Sequence, residues 1–398
     1  MTMQVINKTA VPTFSLILPH EATRTNTPAT IFTQTPVATS IPPIEARLDF
    51  DCLNTMAEPP PNDVYTGTVV LGGDQNNPTY FLNLSTWETK LLTDDPKSRG
   101  TVYEIVSPDR IWLAYKNLQD NYLTIRNEDN DQFIFITYEK EWFGLETWLN
   151  NRQLLISLDG GDDLILNPFT GERQKLPNDF PDLAGPIGIG ADWWGPVYSP
   201  DLSKVVYTAV GSKIVLWDVQ ARQDISVLLS GYGPFAKKPV WSPDGTEFAI
   251  ANQPFEIRNE GPYQELSLVS QDGKQQVATN LSSYYLKFTE ISDYSWSPDA
   301  SRVAFWLMHA SKNLNEFERR LAILNLTTLR VTEYCVYGDI HVLLQPPTWS
   351  PDGTQLIVKA LVGNDSVANV PPSIYLLDLV EGSAYKVAGD VHLIGWIK

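Results

Sequence analysis

A five-residue motif, Trp-Ser-Pro-Asp-Gly, stands at residues 241–245 and again at 349–353, with an alanine-ended copy at 296–300. Aligned on the aromatic, related frames stand at Val106, Trp148, Tyr198 and Trp396, with spacings of 42 to 55 residues. Six of the seven frames open on Trp or Tyr, and Val106 is the exception. Self-similarity at such a period means that each repeat is one supersecondary unit. Such a unit cannot bury its apolar surface alone and must stack on its neighbours. That requirement constrains the fold more than any other feature of the chain.

The segments between frames say what the unit is. After the motif comes a short apolar strand, such as Val205-Val206-Tyr207 or Val303-Ala304-Phe305. A second follows with a polar end, as in Ile214-Val215-Leu216-Trp217-Asp218 and Ile374-Tyr375-Leu376-Leu377-Asp378. A third follows a turn, for example 225–229. With the strand that holds the aromatic, this makes four short strands per repeat, the pattern of a propeller blade. The ends complement each other: residues 65–92 supply three strands with no motif strand, and 391–397 supply a motif strand with nothing after it. The expected fold is therefore all-β. It is a seven-bladed β-propeller of four-stranded antiparallel blades over 63–398, closed by pairing the C-terminal strand with N-terminal ones. Closure removes exposed strand edges. These frames resemble the WD40-like (PD40) repeats of TolB-type β-propellers. The resemblance covers about 65–398 and implies the fold; such propellers serve as scaffolds and as domains attached to peptidases, so it names no function.

Ser-Pro-Asp-Gly itself reads as a turn. Proline presets the first central dihedral, aspartate accepts the second, and glycine takes the left-handed position after them. Trp241, Ser242, Pro243, Asp244, Gly245, Trp296, Asp299, Trp349, Asp352 and Trp396 are thus assigned to architecture, the aromatics filling space between blades. The glycine position is held by Arg110, Leu202, Gly245, Ala300 and Gly353. A non-glycine residue there costs about 1 kcal/mol in the left-handed region.

Residues 20–43 carry seven threonines and four prolines, with neither helical nor strand period. Such a stretch cannot offset its ordering entropy by burial. Residues 1–62 are accordingly expected to be a disordered Thr/Pro-rich tether, of the kind used as a stalk at cell surfaces. We therefore expect an exported protein, periplasmic, cell-surface or extracellular, although no signal peptide is visible. No apolar run is long enough to span a membrane. The two cysteines, Cys52 and Cys335, either bridge the N-terminal segment to the body or stay free, and the sequence leaves both open. A net charge of −18 disfavours nucleic acid and anionic lipid as partners.

Strands alternate in direction, so the short motif turns fall on one face of the disc and the long insertions on the other. Long loops on a rigid scaffold mark function. The elaborated face holds aromatic and basic residues outside the blade frame: Trp193, Trp194, Tyr232, Lys237, Arg258, Tyr284, Tyr285 and Arg319. Tyr, Trp and Arg are the usual anchors of binding surfaces. No GxSxG elbow and no HExxH occurs, and no catalytic residue, cofactor or metal is assigned. The expected function is a non-enzymatic interaction module, monomeric, binding a protein, peptide or glycan on the long-loop face. The alternatives are a carbohydrate-active enzyme, glycosidase or lyase, with carboxylates or tyrosines at the central channel, and a structural surface protein.

Overall fold

The computed structural model describes residues 48–56, 60–72, 79–92, 101–117, 122–127, 132–137, 143–158, 163–175, 196–209, 213–228, 237–252, 263–285, 288–310, 317–338, 345–362, 372–389 and 391–398. It is all-β; among the described residues the sole helical element is the 3-10 turn Leu281–Ser283.

The strands group into four-stranded antiparallel meanders in chain order. One holds Thr101–Val106, Trp112–Asn117, Tyr122–Asn127 and Gln132–Thr137; the next runs from Phe143–Asn150 to Arg173–Lys175. Two more run from Val197–Tyr198 to Gln223–Leu228 and from Val240–Trp241 to Gln275–Val277. The following two, from Thr289–Trp296 to Arg330–Tyr337 and from Thr348–Trp349 to Ser383–Ala388, are joined into one larger sheet where Val336 and Tyr337 pair with Val362 and Leu361. The remaining sheet is built from both ends of the chain. His392–Ile397 pairs antiparallel with Thr68–Gly72, Val69 opposite Trp396, and Tyr80–Asn83 and Thr89–Leu91 complete it.

Each meander buries both faces. In Arg302–Ala310, Val303, Phe305 and Leu307 pack with Ala249, Leu266 and Leu268 of the preceding meander. Ala304 and Trp306 pack with Leu356 and Val358 of the following one. This two-sided burial is why the middle strands read as continuous apolar runs instead of alternating. The same linkage recurs along the chain. It includes Ile357, Ile374 and Leu376 against Val69, Leu71 and Trp396. It also includes Val70, Phe81 and Ile397 against Leu113 and Tyr115. Successive four-stranded meanders packed face to face are the β-propeller arrangement.

The frame tryptophans make this stacking directional. Trp148 Nε1 donates to Ile105 O at 3.2 Å, Trp241 to Val197 O at 3.2 Å, Trp296 to Val240 O at 2.9 Å and Trp349 to Ser295 O at 3.3 Å. Every acceptor is the carbonyl just before the preceding frame's aromatic position. Each indole thus fills the seam with about 1.5–3 kcal/mol of burial and fixes the register of one meander on the last.

In the motif turns a buried serine does most of the bonding. Ser242 N–H donates to Glu247 O at 2.8 Å, its carbonyl accepts from Gly245 N–H at 2.9 Å, and its hydroxyl donates to Asp244 Oδ1 at 2.6 Å. The same hydroxyl-to-carboxylate bond joins Ser107 to Asp109, Ser199 to Asp201, Ser297 to Asp299 and Ser350 to Asp352. The residue after each aspartate is left-handed whatever its identity, with φ of 61° at Arg110, 60° at Leu202, 72° at Gly245, 55° at Ala300 and 76° at Gly353. Arg110 is put to use: its guanidinium donates to Trp349 O, and its carbonyl accepts from Lys398 N–H at 2.9 Å. It thereby ties the 107–110 turn to both the Trp349 and the Trp396 frames.

The N-terminal segment requires a correction. The sequence reading ends the tether at residue 62, yet residues 48–56 form two strands. Leu48–Asp51 pairs parallel with Arg330–Tyr337, and Asn54–Met56 pairs parallel with Ser383–Ala388. Leu53 is buried between them with Trp306 and Leu356, and Cys52 is bridged to Cys335 with a Cα–Cα separation of 4.8 Å. The outer strands' open edges supply hydrogen-bond partners that composition alone does not reveal. Residues 1–47 lie outside the described residues.

Two predictions follow from these contacts. Replacing Cys52 and Cys335 together by serine should cost about 2–5 kcal/mol of stability in denaturant melts, because the bridge closes a very long loop; an unchanged midpoint contradicts the clamp. For Asp299, burial pushes the carboxyl up. Hydrogen bonds from Ser297 and Ser301 and the charge of Arg302 outweigh that and bring it down to about 2. A depressed carboxyl stabilises above its ordinary value near 4 and loses that contribution as pH falls toward 2. Asp299→Asn should therefore melt below the wild type at pH 7, and the gap should shrink at pH 2; a constant gap refutes the assignment.

Candidate binding site

Of the eight residues expected to bind, Lys237, Tyr284, Tyr285 and Arg319 are described; Trp193, Trp194, Tyr232 and Arg258 lie outside the described residues. The four come from three separate segments: Lys237 and Arg319 converge on Glu290 and Asp293, whereas Tyr284 and Tyr285 engage Leu48, His309 and Glu333 instead.

Lys237 precedes the strand Val240–Trp241, and its Nζ pairs with Glu290 Oε1 at 3.1 Å, both side chains about a quarter exposed. Glu290 stands opposite Met308, and Met308 stands opposite Arg319. Glu290, Met308 and Arg319 therefore form one row across three strands and share a face by register. Asp293 lies at the bulge between Ser292 and Ser295 with φ of 49°, a left-handed conformation that costs a non-glycine residue about 1 kcal/mol. Burial pushes its carboxyl up; a hydrogen bond with Ser292 and the charges of Arg319 and Lys237 oppose that without cancelling it, and Glu290 adds to it. The patch thus brings together two cations and two carboxylates, one of which holds its proton more tightly than an ordinary aspartate. It can offer charged hydrogen bonds to a polar ligand.

The two tyrosines serve otherwise. Tyr284 is 43% exposed, and its hydroxyl accepts from Leu48 N–H at 3.3 Å, so it also holds the N-terminal strand. Tyr285 turns inward. Its hydroxyl donates to Glu333 Oε1, and its ring stacks on His309 with centroids 4.2 Å apart and planes at 20°. The connection carrying both is fixed by buried Glu265. That carboxylate accepts from Thr279 Oγ1 at 2.6 Å and from the N–H groups of Leu281 and Ser282, each at 2.8 Å. Among the described residues no three His, Cys, Asp or Glu side chains come together as a metal-holding group.

Glu290, Asp293, His309 and Glu333 escaped the sequence reading. One signal for Glu333 exists: Val331 and Glu333 share the inward phase of Arg330–Tyr337, so a carboxylate stands where an apolar residue belongs. Asp293 had none, because a bulge is invisible in the pattern of Thr289–Trp296.

No family model matches the sequence, and no curated protein is similar to it. Among solved structures, an oligogalacturonate lyase from Vibrio parahaemolyticus matches with a TM-score of 0.49 at 15% identity, covering 83% of this chain and 87% of that one. An oligogalacturonate lyase in complex with manganese matches with a TM-score of 0.48 at 13% identity, covering 82% and 86%. A β-propeller domain from Myceliophteria thermophila matches with a TM-score of 0.40 at 13% identity, covering 76% and 97%. None reaches a TM-score of 0.5, so none lends its activity to this chain.

Proposed function

We propose that the protein is a binding module: a closed, seven-bladed propeller that recognises a protein, peptide or glycan at the loop-side ends of its strands. The repeated meanders, the two-sided seams and the sheet made from both chain ends support the ring. The observation that carries the binding reading is the patch of Lys237, Glu290, Asp293 and Arg319. Its charges come from distant segments and converge beside the stems of the long insertions at 229–236 and 311–316. We further propose that it is exported, that it is a monomer, and that the Thr/Pro-rich N-terminal stretch tethers it. Trp193, Trp194, Tyr232 and Arg258 are assigned to the same face on the sequence alone.

A carbohydrate-active enzyme is the second reading, favoured by the up-shifted Asp293 carboxyl. A half-buried acid whose carboxyl is pushed up is a candidate proton donor at a glycosidic oxygen.

Peptide and glycan arrays probed with the labelled protein should return binders. Replacing both Lys237 and Arg319 by alanine should weaken them about tenfold or more, with little change in melting temperature. Undiminished binding by the double variant removes the patch from the account. Turnover of a polysaccharide panel that disappears in Asp293→Asn would establish the second reading in place of the first.

A further inference from the structure

Beneath the connection at 278–285 lies a polar group that the proposed binding patch does not use. Glu333 is 1% exposed and His309 6% exposed, yet Glu333 Oε2 and His309 Nε2 have no hydrogen-bond partner and stand 3.7 Å apart. The other end of each side chain is engaged. Glu333 Oε1 accepts the Tyr285 hydroxyl, and His309 Nδ1 lies 3.2 Å from Ala310 O. An imidazole that donates from Nδ1 is left with a lone pair on Nε2. A carboxylic acid proton on Oε2 points at that lone pair.

The pair sits beside the N-terminal strand, which adds to the edge of the strand carrying Glu333. Phe50 is the register partner of Glu333, and Leu48 N–H donates to Tyr284, the neighbour of Tyr285. We propose that Glu333 and His309 hold one proton between them and act as a latch, so that loss of this proton loosens the 48–51 strand and the 281–285 turn from the body.

The surrounding charges fit this role. From the 317–325 strand, Arg320 Nη1 lies 3.8 Å from Glu333 Oε2, but the same guanidinium is held by Glu318 at 2.5 Å. From the N-terminal strand, Asp49 is committed to Arg330 at 2.8 Å, and Asp51 stands opposite Tyr334. Tyr285 faces the pair from the connection, and Tyr337 lies under the Arg320 guanidinium at 5.3 Å. A deprotonated Glu333 is therefore a buried charge with one shared cation nearby, and opening the overlying segment to water relieves it.

The sign of the pH dependence is fixed by these groups. Burial pushes Glu333 up to about 8, so its contribution is complete below the ordinary carboxyl value and disappears as pH rises through about 8. Burial holds His309 below its ordinary value, so its contribution is present above about 6.5 and is lost in acid. Docking is therefore tightest in mild acid and weakens toward alkaline pH.

Amide hydrogen exchange of the full chain with its disulfide intact, corrected for intrinsic exchange, tests the latch at pH 6 and pH 9. Amides of 48–51 and 281–285 should lose about tenfold in protection in the wild type and stay nearly constant in Glu333→Gln, which mimics the protonated acid. Equal loss in the variant, or none in the wild type, overturns the proposal. Should the variant fail to fold, infrared spectra of the wild type decide. A protonated buried carboxyl seen at pH 7 and lost through about pH 8 upholds the latch, and its absence at pH 7 overturns it.

Discussion

The structure depends on the indole that each frame lays into the seam before it. Trp148, Trp241, Trp296 and Trp349 each donate to a main-chain carbonyl of the preceding meander while filling the space between the two. A lone four-stranded meander has two apolar faces and nowhere to put them. Stacking covers both, and the indole bond sets the angle at which one lands on the next. Trp396 fills the same kind of seam, 1% exposed and packed with Val69, Leu71 and Leu376. There Lys398 N–H donates to Arg110 O.

Rigidity of this kind decides where function can sit. The motif turns are tied by serine, aspartate and main-chain bonds on all sides and leave few polar groups to offer. The opposite ends of the strands carry Lys237, Glu290, Asp293 and Arg319, where charge is concentrated. The N-terminal segment joins the same region from outside. Its strand pairs edge to edge with the strand carrying Glu333, its Leu48 meets Tyr284, and its cysteine is clamped to Cys335.

The repeat was legible because its period, its turn chemistry and its apolar runs all encode the same local unit. The motif aspartates could be assigned to turns for that reason, and the positive φ at Arg110, Leu202 and Ala300 follows from position, not residue type. The strands at Leu48–Asp51 and Asn54–Met56 were not legible. They owe their form to edges offered by strands 283 and 329 residues away, and nothing in their own pattern signals parallel pairing. The site was legible in part. Lys237 and Arg319 stood out as cations in an acidic chain, whereas Tyr285 looked like a surface aromatic and proved to be a half-buried partner of Glu333 and His309.

The two ends of the chain share one sheet, and we propose that this pairing closes the stack. Hydrogen exchange at the C-terminal strand tests it most directly. If His392–Ile397 is paired with Thr68–Gly72 as a full member of the core, its amides should exchange as slowly as those of Arg302–Ala310, near the limit set by global unfolding. Exchange at the rate of a frayed terminus would contradict the closure and, with it, the ring on which the proposed binding face is built.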